Sequence, residues 1–118
     1  MSAERRPLLY VAGPYTRDDP VANTHRAVKV ATALYERTPY VPVVPHLTLL
    51  WHLIDPQPVD HWYAYDLHLL ARCDRIVRLP GPSTGADREM AEADRLRIPR
   101  VPYLDLPASA RLQWAATP

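Results

Sequence analysis

The chain has 118 residues, 47% of them apolar, and a formal net charge of +1. That is one domain with one modest core. It is too apolar for disorder, and its scattered basic residues make neither a nucleic-acid nor a membrane surface. One cysteine, Cys73, excludes an intrachain disulfide and fits a buried thiol in a reducing compartment. "MSAERRPLLYVAG" has no long apolar core behind its charges, and no run reaches transmembrane length, so a cytoplasmic protein is expected.

"LLYVA", 8–12, is a short run of strand formers closed by Gly13-Pro14 and predicts a buried strand. Asp19 suits an N-cap and Pro20 a first helical position. Val21, Ala27, Val28, Ala31, Leu34 and Tyr35 then recur at helical spacing, predicting a helix over 20–37. "YVPVVP", 40–45, predicts a second strand, with Pro42 placing it at a sheet edge. "HLTLLWHLI" predicts a short helical segment that "DPQP" ends. A helix over 59–73 with Asp60 as cap, a strand in "DRIVRLP", a helix over 84–97, a strand in "PRVPYLD" and a C-terminal turn or helix in "ASARLQWAA" complete the chain. The alternation predicts an α/β fold, three-layer α/β/α, with a parallel sheet of four to five strands. In such sheets a ligand sits beyond the carboxyl ends of the strands, where strand order reverses. The loops "GPYTR" and "PGPSTG" leave the first and third strands at that end.

Two carboxylates are out of place there. In "LPGPSTGADREMAEADRL" the apolar stripe of the helix is Ala86, Met90 and Ala93, and Glu89 leans into it. Asp66 is four after Trp62, three before Leu69 and four before Leu70, again on an apolar face. Each alone has a bland reading, as a boundary acid whose stem packs or a partner in an ion pair. Two on consecutive crossover helices are the parts for acid, base or nucleophile work, including cleavage of a glycosidic bond. Ser83 and Thr84, between Gly81 and Gly85, either cradle a phosphate or form an ordinary loop with an N-cap; no Walker GK[ST] is present. Tyr10, Tyr15, Trp51 and Trp62 either stack on a flat ring or pack the core. His46, His52, His61 and His68 lack metal-ligand spacing, so no metal site is expected. A GxSxG elbow is absent as well.

"LLYVAGPYT", "DLHLLARCD" and "PSTGADREMAEADRLRIP" resemble, in order and spacing, the three signature blocks of the nucleoside 2-deoxyribosyltransferase superfamily, over most of residues 8–104. The superfamily includes 2′-deoxynucleoside 5′-phosphate N-hydrolases and cytidine monophosphate N-glycosidases. The resemblance implies a flavodoxin-like or Rossmann-like fold over a single domain, 1–118, that works as a dimer or higher oligomer without a cofactor. It implies Glu89 as the nucleophile on the anomeric carbon and Asp66 as the group that positions the sugar and protonates the leaving base. Tyr10 is implied to line the pocket. Ser83 stands where transferases of free nucleosides carry an acid, and nucleotide hydrolases a serine, so a nucleoside 5′-monophosphate is the expected substrate. Gly13, Tyr15, His46, Trp62 and Gly85 complete the expected substrate site. The chain departs from the superfamily's G-x-G-x-E at Asp87, which takes the second glycine's place and either crowds the sugar or raises the pKa of Glu89. Arg88 either offsets that charge or meets the phosphate, as Thr16 and Arg17 in the first loop do on the same reading. The alternatives are a non-catalytic nucleotide-binding module, which Asp87 favours, and an interaction protein with both acids in ion pairs.

Overall fold

The computed structural model describes residues 5–116. Four strands, β1 (Leu8–Ala12), β2 (Val41–Val43), β3 (Arg75–Arg78) and β4 (Arg100–Val101), form one parallel sheet in the order β2-β1-β3-β4. Five helices connect and follow them: α1 (Pro20–Arg37), α2 (Thr48–Ile54), α3 (Val59–Leu70), α4 (Thr84–Arg95) and α5 (Ala108–Ala115). The pleat of β1 sorts the two cores. Leu9 and Val11 pack with Ala27, Val30 and Leu34 of α1 and with Ala110 and Trp114 of α5. Tyr10 and Ala12 pack with Leu70 of α3 and with Ala86, Met90 and Ala93 of α4. The fold is α/β in three layers, with the flavodoxin-like strand order.

Several elements differ from the sequence expectation. The core face of α1 is Asn23, Ala27, Val30 and Leu34, while Val21, Val28 and Tyr35 are exposed. An asparagine at the end of a buried stripe disguised the true face. Asp19 does cap α1, accepting from the N–H groups of Val21 and Ala22 at 2.9 and 3.3 Å. Asp60 caps nothing: Pro58 precedes α3, and Asp60 lies in its first turn. That helix ends at Leu70, where Ala71 to Cys73 turn back into the sheet. "PRVPYLD" supplies only a two-residue strand, because Pro102 has no N–H for a ladder and a 3₁₀ turn follows over Tyr103–Asp105. Pro42 is tolerated because β2 is an edge.

The order reverses at β1 and β3, so their carboxyl ends open the crevice. Two glycines let the departing loops approach. A Cβ on Gly13 would stand 3.0 Å from the Cβ of Leu79. Gly81 has φ +120°, and a Cβ there would stand 2.9 Å from the ring of Pro14.

Candidate active site

Beyond those strand ends lies a cavity of about 1000 Å³, of the size that holds a small-molecule ligand. The loop after β1 forms one wall and the start of α4 another. The segment from Pro45 through α2 and the first two turns of α3 close the third side. Gly13, Tyr15, His46, Trp62, Asp66, Ser83, Gly85 and Glu89 all border it. Tyr10 does not. It is wholly buried, and its hydroxyl donates instead to Oε2 of Glu89. The expectation that Tyr10 lines the pocket is therefore corrected: β1 turns it under α4, where it holds the carboxylate from behind.

Glu89 is 6% exposed, within the apolar stripe that the periodicity identified. Burial lifts its pKa to about 7, opposed by the Tyr10 hydroxyl and the charge of Arg78. Asp87 is not what raises it. Its carboxylate turns to the surface and pairs with Arg78 at 2.9 Å, although the residue borders the cavity. Asp66 carries an Oδ1 that is buried and without a hydrogen-bond partner among the described residues. Burial and the neighbouring Glu89 push its pKa up to about 8. Glu89 reaches the cavity from α4 and Asp66 from α3. Burial raises both groups and the charge of Glu89 raises Asp66 further, so the two titrate as a coupled pair, above the ordinary carboxylate range.

Ser83 caps α4, its Oγ accepting from the N–H of Ala86 at 3.0 Å, which leaves its hydroxyl hydrogen to donate. Gly85 has open space where a Cβ would project. The free N–H groups of the first turn, the helix dipole and the Ser83 hydroxyl face an anion favourably. Arg17 also borders the cavity, and the guanidinium of Arg88 lies 3.8 Å over the ring of Tyr63.

His46 is buried. Its Nε2–H donates to the carbonyl of Pro14 at 2.9 Å, and Tyr15 meets its ring edge-on. Burial lowers its pKa, so the ring is neutral and Nδ1 is an acceptor, without a partner among the described residues. Trp62 packs edge-on against Trp51, His52, His61 and Tyr65. His68 is exposed and outside the cavity. Among the described residues no three His, Cys, Asp or Glu side chains gather as a metal site would require. No described helix is long and apolar enough to cross a membrane. Cys73 is buried, and burial pushes its thiol up to about 11.

Three supporting residues were missed. Asn23 donates to the carbonyls of Tyr15 and Arg17 at 3.0 and 2.7 Å, and Arg26 donates to Asn23 Oδ1 at 2.8 Å. Trp114 stacks under Arg26 and donates from Nε1 to the carbonyl of Pro80 at 2.9 Å. The only sequence signal was Asn23 itself, four residues before Ala27 and seven before Val30 on the buried stripe.

No curated protein matches the chain. A family model described as a domain of unknown function, DUF7768, matches residues 7–103, from the start of β1 to the turn after β4, with both carboxylates inside the match. The chain belongs to that family.

Proposed function

We propose that the protein is an N-glycosidase, or an N-deoxyribosyltransferase, that breaks the bond between base and sugar in a nucleoside 5′-monophosphate or nucleoside. The observation that carries the reading is a pair of carboxyls, buried Glu89 and half-buried Asp66, brought to one cavity from neighbouring helices. An ion-paired acid needs a cation beside it. Among the described residues, Asp66 has an unpartnered oxygen and Glu89 bonds only a tyrosine hydroxyl.

The ionised carboxylate of Glu89 attacks C1′ of the sugar. The bond from C1′ to the base nitrogen breaks, its electron pair leaves with the base, and Asp66 delivers a proton to that base. A glycosyl ester on Glu89 remains. Asp66, now a carboxylate, takes a proton from water as the water oxygen attacks C1′. The ester bond breaks, and Glu89 is restored with the sugar free. A second base in place of water gives transfer. The Tyr10 hydroxyl keeps Glu89 in the attacking rotamer and stabilises its charge. Ser83, the open position at Gly85 and Arg17 support a 5′-phosphate as the far anchor. No cofactor enters these steps. Self-association through the exposed apolar side of α2 belongs to the same reading.

The test is a base-release assay over ribo- and deoxynucleosides and their 5′-monophosphates, with Glu89→Ala beside the native chain. Release from monophosphates, lost by at least about a thousandfold in the variant at unchanged melting temperature, is the expected result. Unchanged release in Glu89→Ala removes the assignment. Nucleotide binding without any release would make the protein a binding module instead.

A further inference from the structure

One more polar group in the cavity has had its chemistry settled by the fold. His52 stands on α2 and borders the cavity. Its Nδ1 accepts from Nε1–H of Trp62 at 2.8 Å and from the backbone N–H of Gln57 at 3.3 Å. A ring nitrogen that accepts two hydrogen bonds carries no proton, so the proton is on Nε2. The wall around it combines apolar Leu49, Leu53 and Val59 with the polar Gln57 and Asp60 at its edge. Into that wall His52 brings a donor and no acceptor.

Its place relative to the carboxyls gives the donor a target. Trp62, which holds His52, is buried and lies one helical turn before Asp66 on the same face of α3. On the reading above, C1′ lies between Glu89 and Asp66, and the phosphate lies toward the start of α4. The base then extends along α3 toward Trp62. His52, bonded to Trp62 and bordering the same cavity, is then placed to meet the edge of the base remote from the sugar. That is the edge on which bases differ between a carbonyl and an amino group.

We propose that His52 is a specificity-determining donor that selects nucleotides whose base carries a carbonyl on that edge, as uracil and hypoxanthine do, over the amino counterparts cytosine and adenine. The proposal rests on the nucleotide reading above. A carbonyl oxygen accepts from Nε2–H. An amino group sets N–H against N–H, and the acceptor its base offers instead, the adjacent ring nitrogen, is displaced from the carbonyl position, so the bond is lost or bent. Trp62 and Gln57 matter because they prevent the imidazole from presenting an acceptor instead.

Two substrate pairs carry the test, because each exchanges a carbonyl for an amine, and with it the adjacent ring N–H for a ring-nitrogen acceptor: uridine against cytidine 5′-monophosphate, and inosine against adenosine 5′-monophosphate. Dissociation constants are measured by calorimetry on Glu89→Gln, and base release is measured on the native chain. The carbonyl member of each pair is expected to bind and react about tenfold better or more. In His52→Phe that ratio falls to about one through loss on the carbonyl side. In His52→Gln the carbonyl nucleotides still bind, but the ratio again falls, because an amide can turn either face to the base. A merely structural role would lower all four nucleotides together and leave the ratio in place, which overturns the proposal. So does a native ratio near one, or one that favours the amines. Carbonyl preference in binding without base release would uphold His52 and remove the catalytic reading. No binding of any nucleotide would remove both.

Discussion

Glu89 is held where a carboxylate is costly. Its pKa of about 7 in the fold stands above the ordinary 4.5. Between those values the folded chain binds more protons than the unfolded one, so stability falls as pH rises through that window. The penalty is fully present above the folded value and absent below the unfolded one. Two to three pH units correspond to about 3 kcal/mol. Glu89→Gln, which keeps the shape and can still accept from Tyr10, is therefore expected to raise the melting temperature at pH 8 and to leave it nearly unchanged at pH 4, by calorimetry. An equal shift at both values would mean that the carboxylate is not the strained group. On the proposed mechanism the same two acids act as an ionised Glu89 and a protonated Asp66, so kcat/KM is expected to rise through about 7 and fall through about 8. The donor Tyr10 favours the ionised Glu89. Tyr10→Phe, which loses about 1.5–3 kcal/mol of charge-assisted bonding, is expected to move the rising limb upward and to leave little activity at pH 7. A rising limb that does not move would show that Tyr10 is only packing. Both acids were legible in the sequence because a charged residue on a helical stripe breaks an otherwise simple rule. Tyr10 was only half legible. Alternation along a strand tells which face a residue takes, not which side chain of a distant helix it will touch.

Elements were legible where one periodicity ruled them. The strand at 8–12, the cap at Asp19 and the edge strand with Pro42 stand as expected. The last strand was legible in place but not in length, because prolines on either side of Arg100-Val101 leave few N–H groups to pair. The tie between α5 and the site was invisible for another reason: Trp114 and Pro80 are 34 residues apart and meet only through the sheet. Trp114 reaches both loops of the cavity, the second through Pro80 and the first through Arg26 and Asn23. Trp114→Phe keeps the ring under Arg26 and removes the N–H, a loss of about 1 kcal/mol. The expected result is faster amide exchange over residues 13–17 and 80–85 by mass spectrometry, and a higher KM for nucleotides with kcat within twofold. Leu112→Ala, on the exposed side of the same helix, serves as the control. Exchange confined to α5 would show that the helix merely packs.

At the scale of the whole molecule the unbalanced element is α2. It has no buried residue. With its flanks it exposes Leu47, Leu50, Trp51, Leu53, Ile54 and Val59, the last two at 76% and 72%. Large apolar side chains exposed together on one element mark an interaction surface. No Lys, Arg, Asp or Glu lies between Leu47 and Ile54, so nothing on the helix repels an identical copy. Leu53 and Val59 of this patch also border the cavity, as do Thr48, Leu49 and His52. A second copy seated on α2 would brace the wall that carries His52 and Trp62. Sedimentation is expected to show a dimer at micromolar concentration that persists in high salt, since apolar burial and not charge drives it. Leu50→Glu with Ile54→Glu is expected to give a monomer of unchanged core stability, because neither side chain is packed in the fold. That monomer is expected to bind nucleotide several-fold more weakly, its cavity wall having lost support. A native chain that stays monomeric at 100 times that concentration would leave the patch free for some other partner. A monomeric variant with full affinity would separate assembly from the site.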